Sequence, residues 1–557
     1  MLDASLQPVV HLRDVRVDNA PWADSRRPLA ALGAATAVFS WLSLRERRPI
    51  IALMVLLDGE VDLVRRSDGL RNWRLNRPDD RGPGRFKVLS IRGENASVRL
   101  LHERLELELE AKATPRGAEN AASSEGEPMP TQLAVRGRWR GVPFAIDAAT
   151  SEVITFTETG RFFRARGEAT SAGARLEFDG RLGDIVRDPL VDARIALTAP
   201  SLAPFAAALG PHRPEGRAIN VAGELKGEPG RYALSIVKGR LGATDLAGEL
   251  SWKRGEERDL VRATLASESS NLADLRALAG RRPAKAVGRA AAASAPASPA
   301  DGASQAARPR PIDAELRYMA RRLHGEGMPW LQGARLDAAF ADGRLTVSHF
   351  DVGIGRGRAV GKASIDTGQR PMRGDVEVDV SAIRIESFLP AQAARKNLLS
   401  GTLQGRAALK ASGDSAETLL ASATGTVQAV VSGGTISSLL DAKMGLQGGR
   451  VVRGLLAGAE AMPVRCAAAV LELERGAAKI RSLVVDTEQT RTIGGGTIDL
   501  VKETVDVILT PEAKQPGLFI LDRSIRLHGP LREPRRELVA RVVPASAPVR
   551  ACRPERP

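Results

Sequence analysis

The chain has 557 residues, a formal net charge of +15 and 43% hydrophobic residues. That length exceeds what one hydrophobic core usually serves, so two or three domains are expected. The basic residues are interleaved with Asp and Glu, which predicts solvated strand faces and argues against a dedicated nucleic-acid surface. Two cysteines, Cys466 and Cys552, are too few for a disulfide framework or a zinc site, and Cys466 is expected to be a small buried apolar residue.

The opening "MLDASLQPVVHLRD" lacks the basic and apolar regions of a signal peptide. "LAALGAATAVFSWLSL" and "IIALMVLL" each fall short of the ~18 apolar residues of a membrane-spanning helix and read as buried strand or core. "VDLVRRSDGLRNWRL", Val61 to Leu75, predicts two short strands around a tight Asp68-Gly69 turn, followed by Trp73 in a chain only 4% aromatic. "RLELELEA" alternates Leu105, Leu107 and Leu109 with Glu106, Glu108 and Glu110, a strand with one face in water. A loop is expected over 116–130, rich in Gly, Ser and Pro. "SNLADLRALAG" predicts a capped helix starting at Ser270 or Asn271.

Residues 281–311 are low-complexity Ala/Pro/Ser and read as a flexible linker. The tail over 546–557 has the same character. Three structured blocks remain: 1–115, 131–280 and 312–545. In the last, Asp342-Gly343 marks another hairpin, and "GDVEVDVSA" alternates Val376, Val378 and Val380 with Asp375, Glu377 and Asp379. "AETLLASA" predicts a short helix, and "ISSLLDAKMGLQGGRVVRGLLAGA" a pair broken at Gly448-Gly449. A phrase of the form apolar-x-Gly-x-apolar recurs, as in "FDGRL", "VAGEL", "LQGRA" and "LHGPL"; glycine inside a strand marks a bulge, a bend or a close approach. The fold class is mainly β and antiparallel, with a few short helices.

Candidate chemistry is sparse. "GIGRGRAVGKAS" is not a phosphate loop: Arg356 stands where the first glycine is needed and Ala363 where the hydroxyl is needed. The histidines are isolated, and no GxSxG elbow is present. The glutamate rows share a strand face instead of converging on a cation. The expectation is a non-enzymatic protein with no catalytic, cofactor or metal site.

The C-terminal block carries a more specific signal. In order come Pro463–Cys466, Asp486-Thr487, Gly494–Leu500, Pro511–Lys514 and Ile525–Pro534, matching P-[VI]-R-C, D-T, G-x-G-x-I-D-L, P-x-x-K and I-x-[LV]-x-G-x-x-x-x-P. With "LRDVRVDNAPWA" and S-D-G-x-x-N-W near the start, this order resembles the AsmA family of bacterial envelope proteins. The resemblance implies a long antiparallel sheet, strongly curved into a U-shaped apolar groove for phospholipid acyl chains. It also implies a periplasmic place at the inner membrane, support of lipid transport to the outer membrane, and no catalytic residues. The alternative is a scaffold or regulator of outer-membrane protein assembly or protein targeting to the membrane, with envelope proteins as partners. The resemblance begins almost at Met1, so the family's usual N-terminal anchor is expected to be absent here, as from a misplaced start or a truncation. Within that frame Val376, Val378 and Val380 are expected to line one inner face, and Val505, Val507 and Leu509 another. Ile508 falls on the side of Thr504 and Asp506.

Overall fold

The computed structural model describes residues 7–542, apart from 24–26, 42, 44–48, 74–86, 117–127, 152–153, 156–161, 184–188, 202, 204–216, 280–310, 327, 329–330, 389–398, 439–459, 515–521 and 532. Nearly all of the expected linker, most of the 116–130 loop, the expected helix pair from 439 onward and the tail lie outside the described residues. What is described is mainly β, with two short α-helices. The chain divides into two compact units, one of residues 1–262 and 272–312, the other of 263–271 and 313–557.

In the first unit the strands are β1 (Val9–Val17), β2 (Ala30–Phe39), β3 (Ile50–Arg65), the two-residue β4 (Lys87–Val88), β5 (Ser90–His102), β6 (Leu107–Pro115), β7 (Thr131–Trp139) and β8 (Val142–Thr150). The two-residue β9 (Ile154–Thr155), β10 (Phe163–Ser171), β11 (Ala174–Gly183), β12 (Leu190–Ala199), β13 (Ile219–Glu228), β14 (Arg231–Leu241) and β15 (Thr244–Lys253) follow. β1, β2 and β3 pair antiparallel in order. β5 to β8 continue antiparallel, and β8 pairs with β10, which starts an antiparallel run to β15.

Among the described residues one junction departs from the antiparallel expectation. β3 and β5 pair in parallel, from Met54↔Ile91 to Arg65↔His102, so the sheet is mixed. β4 pairs with β3 in parallel as well, and parallel neighbours need a long connection, here the chain between Arg65 and Lys87. The Asp68-Gly69 turn does form, with Gly69 at φ 91° and Arg66 N–H donating to the Leu70 carbonyl at 2.9 Å. Its second arm stops after a single bridge, Arg65↔Arg71.

A side chain takes over where that arm ends. The buried Asn72 carboxamide accepts from Val64 N–H at 2.8 Å, and its Nδ2 donates to the Asp62 carbonyl at 2.7 Å and to Asn19 Oδ1 at 3.0 Å. Asn19 Nδ2 in turn donates to the buried Asp62 carboxylate at 3.1 Å. One amide thus satisfies the backbone of β3 that a second strand would otherwise pair, and an unpaired buried polar group is costly. Half-buried Trp73 follows directly.

Leu105 is a second departure. It does not continue β6 but sits in a 3₁₀ turn, Glu103–Leu105, because the His102 ring accepts its N–H at 3.2 Å and Glu106 then turns left-handed at φ 50°. His102 is held below the ordinary histidine pKa, first by burial and then by Arg65, with Arg104 and Arg71 adding.

The helix expected near Ser270 begins at Leu272 (α1, Leu272–Ala279), because β16 (Asp259–Asn271) runs through Asn271. Buried Asp274 of α1 accepts from Ala243 N–H at 2.8 Å and from Thr244 N–H and Oγ1 at 3.1 Å each, which ties the helix to the β14–β15 turn.

The second unit runs through β17 (Ile312–His324), β18 (Leu331–Ala341), β19 (Arg344–Ile354), β20 (Gly357–Asp366), β21 (Arg373–Arg384), β22 (Thr402–Ser412) and β23 (Thr424–Ser432). It continues with β24 (Gly434–Ser437), β25 (Ala461–Glu474), β26 (Ala477–Thr487), β27 (Thr490–Asp499), β28 (Thr504–Ala513), β29 (Arg523–Pro530) and β30 (Arg535–Ala540). These form an antiparallel meander, with β23 and β24 both on β25. Helix α2 (Ala416–Ser422) has a reciprocal cap: Thr418 N–H donates to Ser415 Oγ at 3.2 Å, and Ser415 N–H to Thr418 Oγ1 at 2.9 Å. Cys466 is buried and disulfide-bonded, where a thiol was expected; the chain's other cysteine, Cys552, lies outside the described residues.

Replacing Asn72 should weaken the β3 end. Asn72→Ala is expected to cost about 1–3 kcal/mol, and Asn72→Asp more, since a carboxylate offers no donor to Asn19 Oδ1 or the Asp62 carbonyl. Thermal unfolding and amide exchange at Val64 measure both. His102 gives a pH signature. Its folded pKa lies below the unfolded value, so its stabilising contribution is complete above that unfolded value and is lost as pH falls through the folded one. His102→Asn, which keeps an acceptor for Leu105 N–H, should flatten the loss of stability as pH falls below about 6.5.

Candidate functional site

Strand register, not any single pocket, organises the second unit. Following direct cross-strand partners from Val378 leads in one direction through Gly361, Phe350 and Leu336 to Tyr318. In the other it passes Ala407, Val427, Leu471, Ile480 and Gly496 to Val507 and Leu527. The row of Val376 passes Leu409, Gly425, Leu473, Ala478 and Ile498 and reaches Val505. The row of Val380 passes Gly405, Ala429, Ala469, Leu483 and Gly494 and reaches Leu509. The two trios read from the sequence as separate sets are therefore members of the same three rows on one face. Ile508 lies on the other face, opposite Gly495 and Arg526.

That other face is polar. Glu377 meets Lys362 at 3.3 Å and Arg406 at 3.6 Å, and Asp379 meets Arg406 at 3.6 Å. Asp375 accepts from Ser364 Oγ at 2.7 Å. Asp506 accepts both fork nitrogens of Arg526 at 2.8 Å, and these hydrogen bonds hold its carboxyl below the usual range. Exposed pairs of this kind add little stability each, but they suit a face turned to water.

Exposure separates the apolar face into two regimes. Val376, Val378, Val380, Ala407, Leu409, Val427 and Ala429 are only half-buried, as are Val505 and Leu509, whereas Val507 is buried. Next to the end of α2 the face is closed by a cluster of Ala423, Leu473 and Ala478, with Leu409, Val427 and Ile498 packed against it.

Glycine keeps the face low. A Cβ on Gly361 would stand 2.6 Å from Phe350 Cζ and 2.2 Å from the Glu377 carbonyl oxygen, so the ring tip of Phe350 occupies the space above the glycine. In the first unit Gly137 has the same relation to Phe144 Cζ, at 2.7 Å. The recurring glycine phrase thus marks close approach.

Sequence periodicity missed Phe350, Ile480 and Leu483 because a bulge lies beside each. The register shifts between Val347 and Phe350 and again between Ile480 and Leu483, so each pair is three residues apart yet on one face. The odd spacing was the available signal.

The family-type motifs prove to be ties between turns. Thr487 Oγ1 accepts from Thr490 N–H at 2.9 Å and closes the β26–β27 turn. Lys514 Nζ donates to the Thr487 carbonyl at 2.6 Å and pairs with the Asp486 carboxylate, while Lys514 N–H donates to the Gln489 carbonyl at 2.9 Å. Asp486-Thr487 and Pro511–Lys514 are therefore one structural unit. The AsmA family model matches residues 231–483. The AsmA family protein YhjG of Escherichia coli (strain K12) is 22% identical over 567 residues, covering 95% of this chain and 82% of YhjG. The chain is thus similar to AsmA-family proteins, over residues 231–483 by the family model and along most of its length to YhjG. No solved structure matches.

Among the described residues no helix is long and apolar enough to cross a membrane, and no group of three or more His, Cys, Asp or Glu could hold a metal ion. An open depression of about 720 Å³ on the polar face of the first unit is lined by Asp147, Glu168, Glu177 and Asp179 among arginines. Each of those carboxylates is ion-paired, to Arg136, Arg175, Arg175 and Arg166 respectively.

Lys514→Met removes both side-chain contacts of the turn tie and should destabilise the second unit by about 1–3 kcal/mol. Lys514→Arg should recover part of the loss. Thermal unfolding of the two variants beside the parent chain measures the difference.

Proposed function

We propose that this chain is an AsmA-family, non-enzymatic envelope protein whose sheet curves into a U-shaped groove and holds phospholipid acyl chains on its apolar face. In this role it supports lipid transport between the inner and outer membranes, working in the periplasm at the inner membrane. The observation that carries the proposal is the set of three apolar rows ending at Val376/Val505, Val378/Val507 and Val380/Leu509, half-exposed through β21 to β23. A sandwich core would exclude water from such a face, whereas an acyl chain laid along it gains about 0.8 kcal/mol per methylene removed from water. Lining rows with no charged side chain suit a sliding ligand, since nothing in them fixes a headgroup. The disulfide at Cys466 fits an oxidising compartment. Half-exposure favours this reading over the scaffold, which needs a sealed face.

Photocrosslinkers at positions 378 and 377, with lipid analysis of the adducts, test it. Position 378 should capture phospholipid and position 377 should not. Val378→Asp places an unpaired charge against acyl chains and should abolish capture, while Glu377→Gln leaves it intact. Capture at 377 alone would invert the faces, and capture at neither would remove the groove from this unit.

A further inference from the structure

A surface of the first unit presents a different chemistry. Three turns lie side by side on one rim: residues 66–71 after β3, 103–106 between β5 and β6, and 140–141 between β7 and β8. They are tied together. Ser67 N–H donates to Glu103 Oε2 at 2.9 Å, and Arg140 N–H donates to the Glu106 carbonyl at 2.8 Å. At each turn one large apolar side chain faces solvent: Leu70 is 42% exposed, Leu105 47% and Trp139 39%. Arg71, Arg104, Arg138 and Arg140 beside them are exposed as well, with the Arg140 guanidinium 5.6 Å from the Trp139 ring centre.

We propose that this rim docks on a membrane surface rich in anionic phospholipid. The argument is one of complementarity. Exposed Leu and Trp side chains at turn tips can enter the headgroup–acyl boundary without unfolding the sheet, and Trp is favoured at that depth. The arginines around them match phosphate, for which guanidinium is the better donor. The acids of the rim are partly engaged within it: Asp68 pairs with Arg66 at 3.5 Å, and Glu103 accepts from Ser67. Val10 and Leu12 on the sheet edge at β1 are as exposed, at 43% and 48%, and provide an internal comparison.

The docking proposal is independent of the groove and is tested with the full chain in a vesicle flotation assay. Vesicles of phosphatidylcholine with about 30% phosphatidylglycerol are compared with phosphatidylcholine alone, at low salt and at about 0.5 M salt. The parent chain should float with the anionic vesicles at low salt, and poorly in the other conditions. Arg71→Glu/Arg104→Glu/Arg140→Glu should lower the floating fraction about tenfold or more. Leu70→Ser/Leu105→Ser/Trp139→Ser should lower it comparably, with Val10→Ser/Leu12→Ser as the unchanged control. All substitutions are at exposed positions, and circular dichroism melts confirm folding. Failure of the parent chain to float overturns the proposal, as does flotation of both rim variants at the parent's level. Equal loss in the Val10/Leu12 control indicates general stickiness and also overturns it. Flotation that disappears in Val378→Asp assigns vesicle capture to the second unit's face and removes the rim from it.

Discussion

Everything in the second unit follows from strand register. Direct partners carry Val378 to Val507 across β21, β22, β23, β25, β26, β27 and β28, and each intermediate position must keep its side chain on the same side. A slip of one residue at any ladder would turn every following strand over and put Asp506 where Val507 stands. Two devices hold the phase. Bulges at Val347/Phe350 and Ile480/Leu483 absorb extra residues without exchanging faces. On the polar face, charged partners such as Lys362–Glu377 and Asp506–Arg526 make the inverted register unfavourable.

Much of this was legible in the sequence because the period of two is a local property. "GDVEVDVSA" states both faces of β21 outright, and "AETLLASA" with its preceding serine states a helix and its cap. What escaped was non-local. Nothing in "VDLVRRSDGLRNWRL" says that its second half will leave the sheet while Asn72 takes over the backbone groups of β3. Leu105 keeps the alternation of "RLELELEA" in letters but loses it in space, because the His102 ring captures its N–H. The bulges broke the phase at Phe350 and Leu483. The disulfide at Cys466 could not be read from two cysteines so far apart.

The net charge has a similar lesson. An excess of arginine in a β-protein reads at first as an anion-binding surface. In the structure many of these side chains lie across from a carboxylate on the next strand, as Arg136 does with Asp147 and Arg166 with Asp179. The forked guanidinium suits that geometry, since it can engage both oxygens of a neighbour on the same pleat. Burial raises the Asp179 pKa, yet hydrogen bonding and charge from Arg166, with Arg164 beside it, outweigh burial and leave the carboxyl below its ordinary range.

The parallel pairing of β3 with β5 has a consequence of parity. In a strictly antiparallel meander, chain exits alternate between the two rims, so neighbouring strands leave in opposite directions. One parallel step breaks the alternation once. Arg65 and His102 then end adjacent strands on the same side, about 4.8 Å apart, and both exits must find room there. The sheet acquires a crowded point there. A change in the length of either exit would therefore be felt by the other.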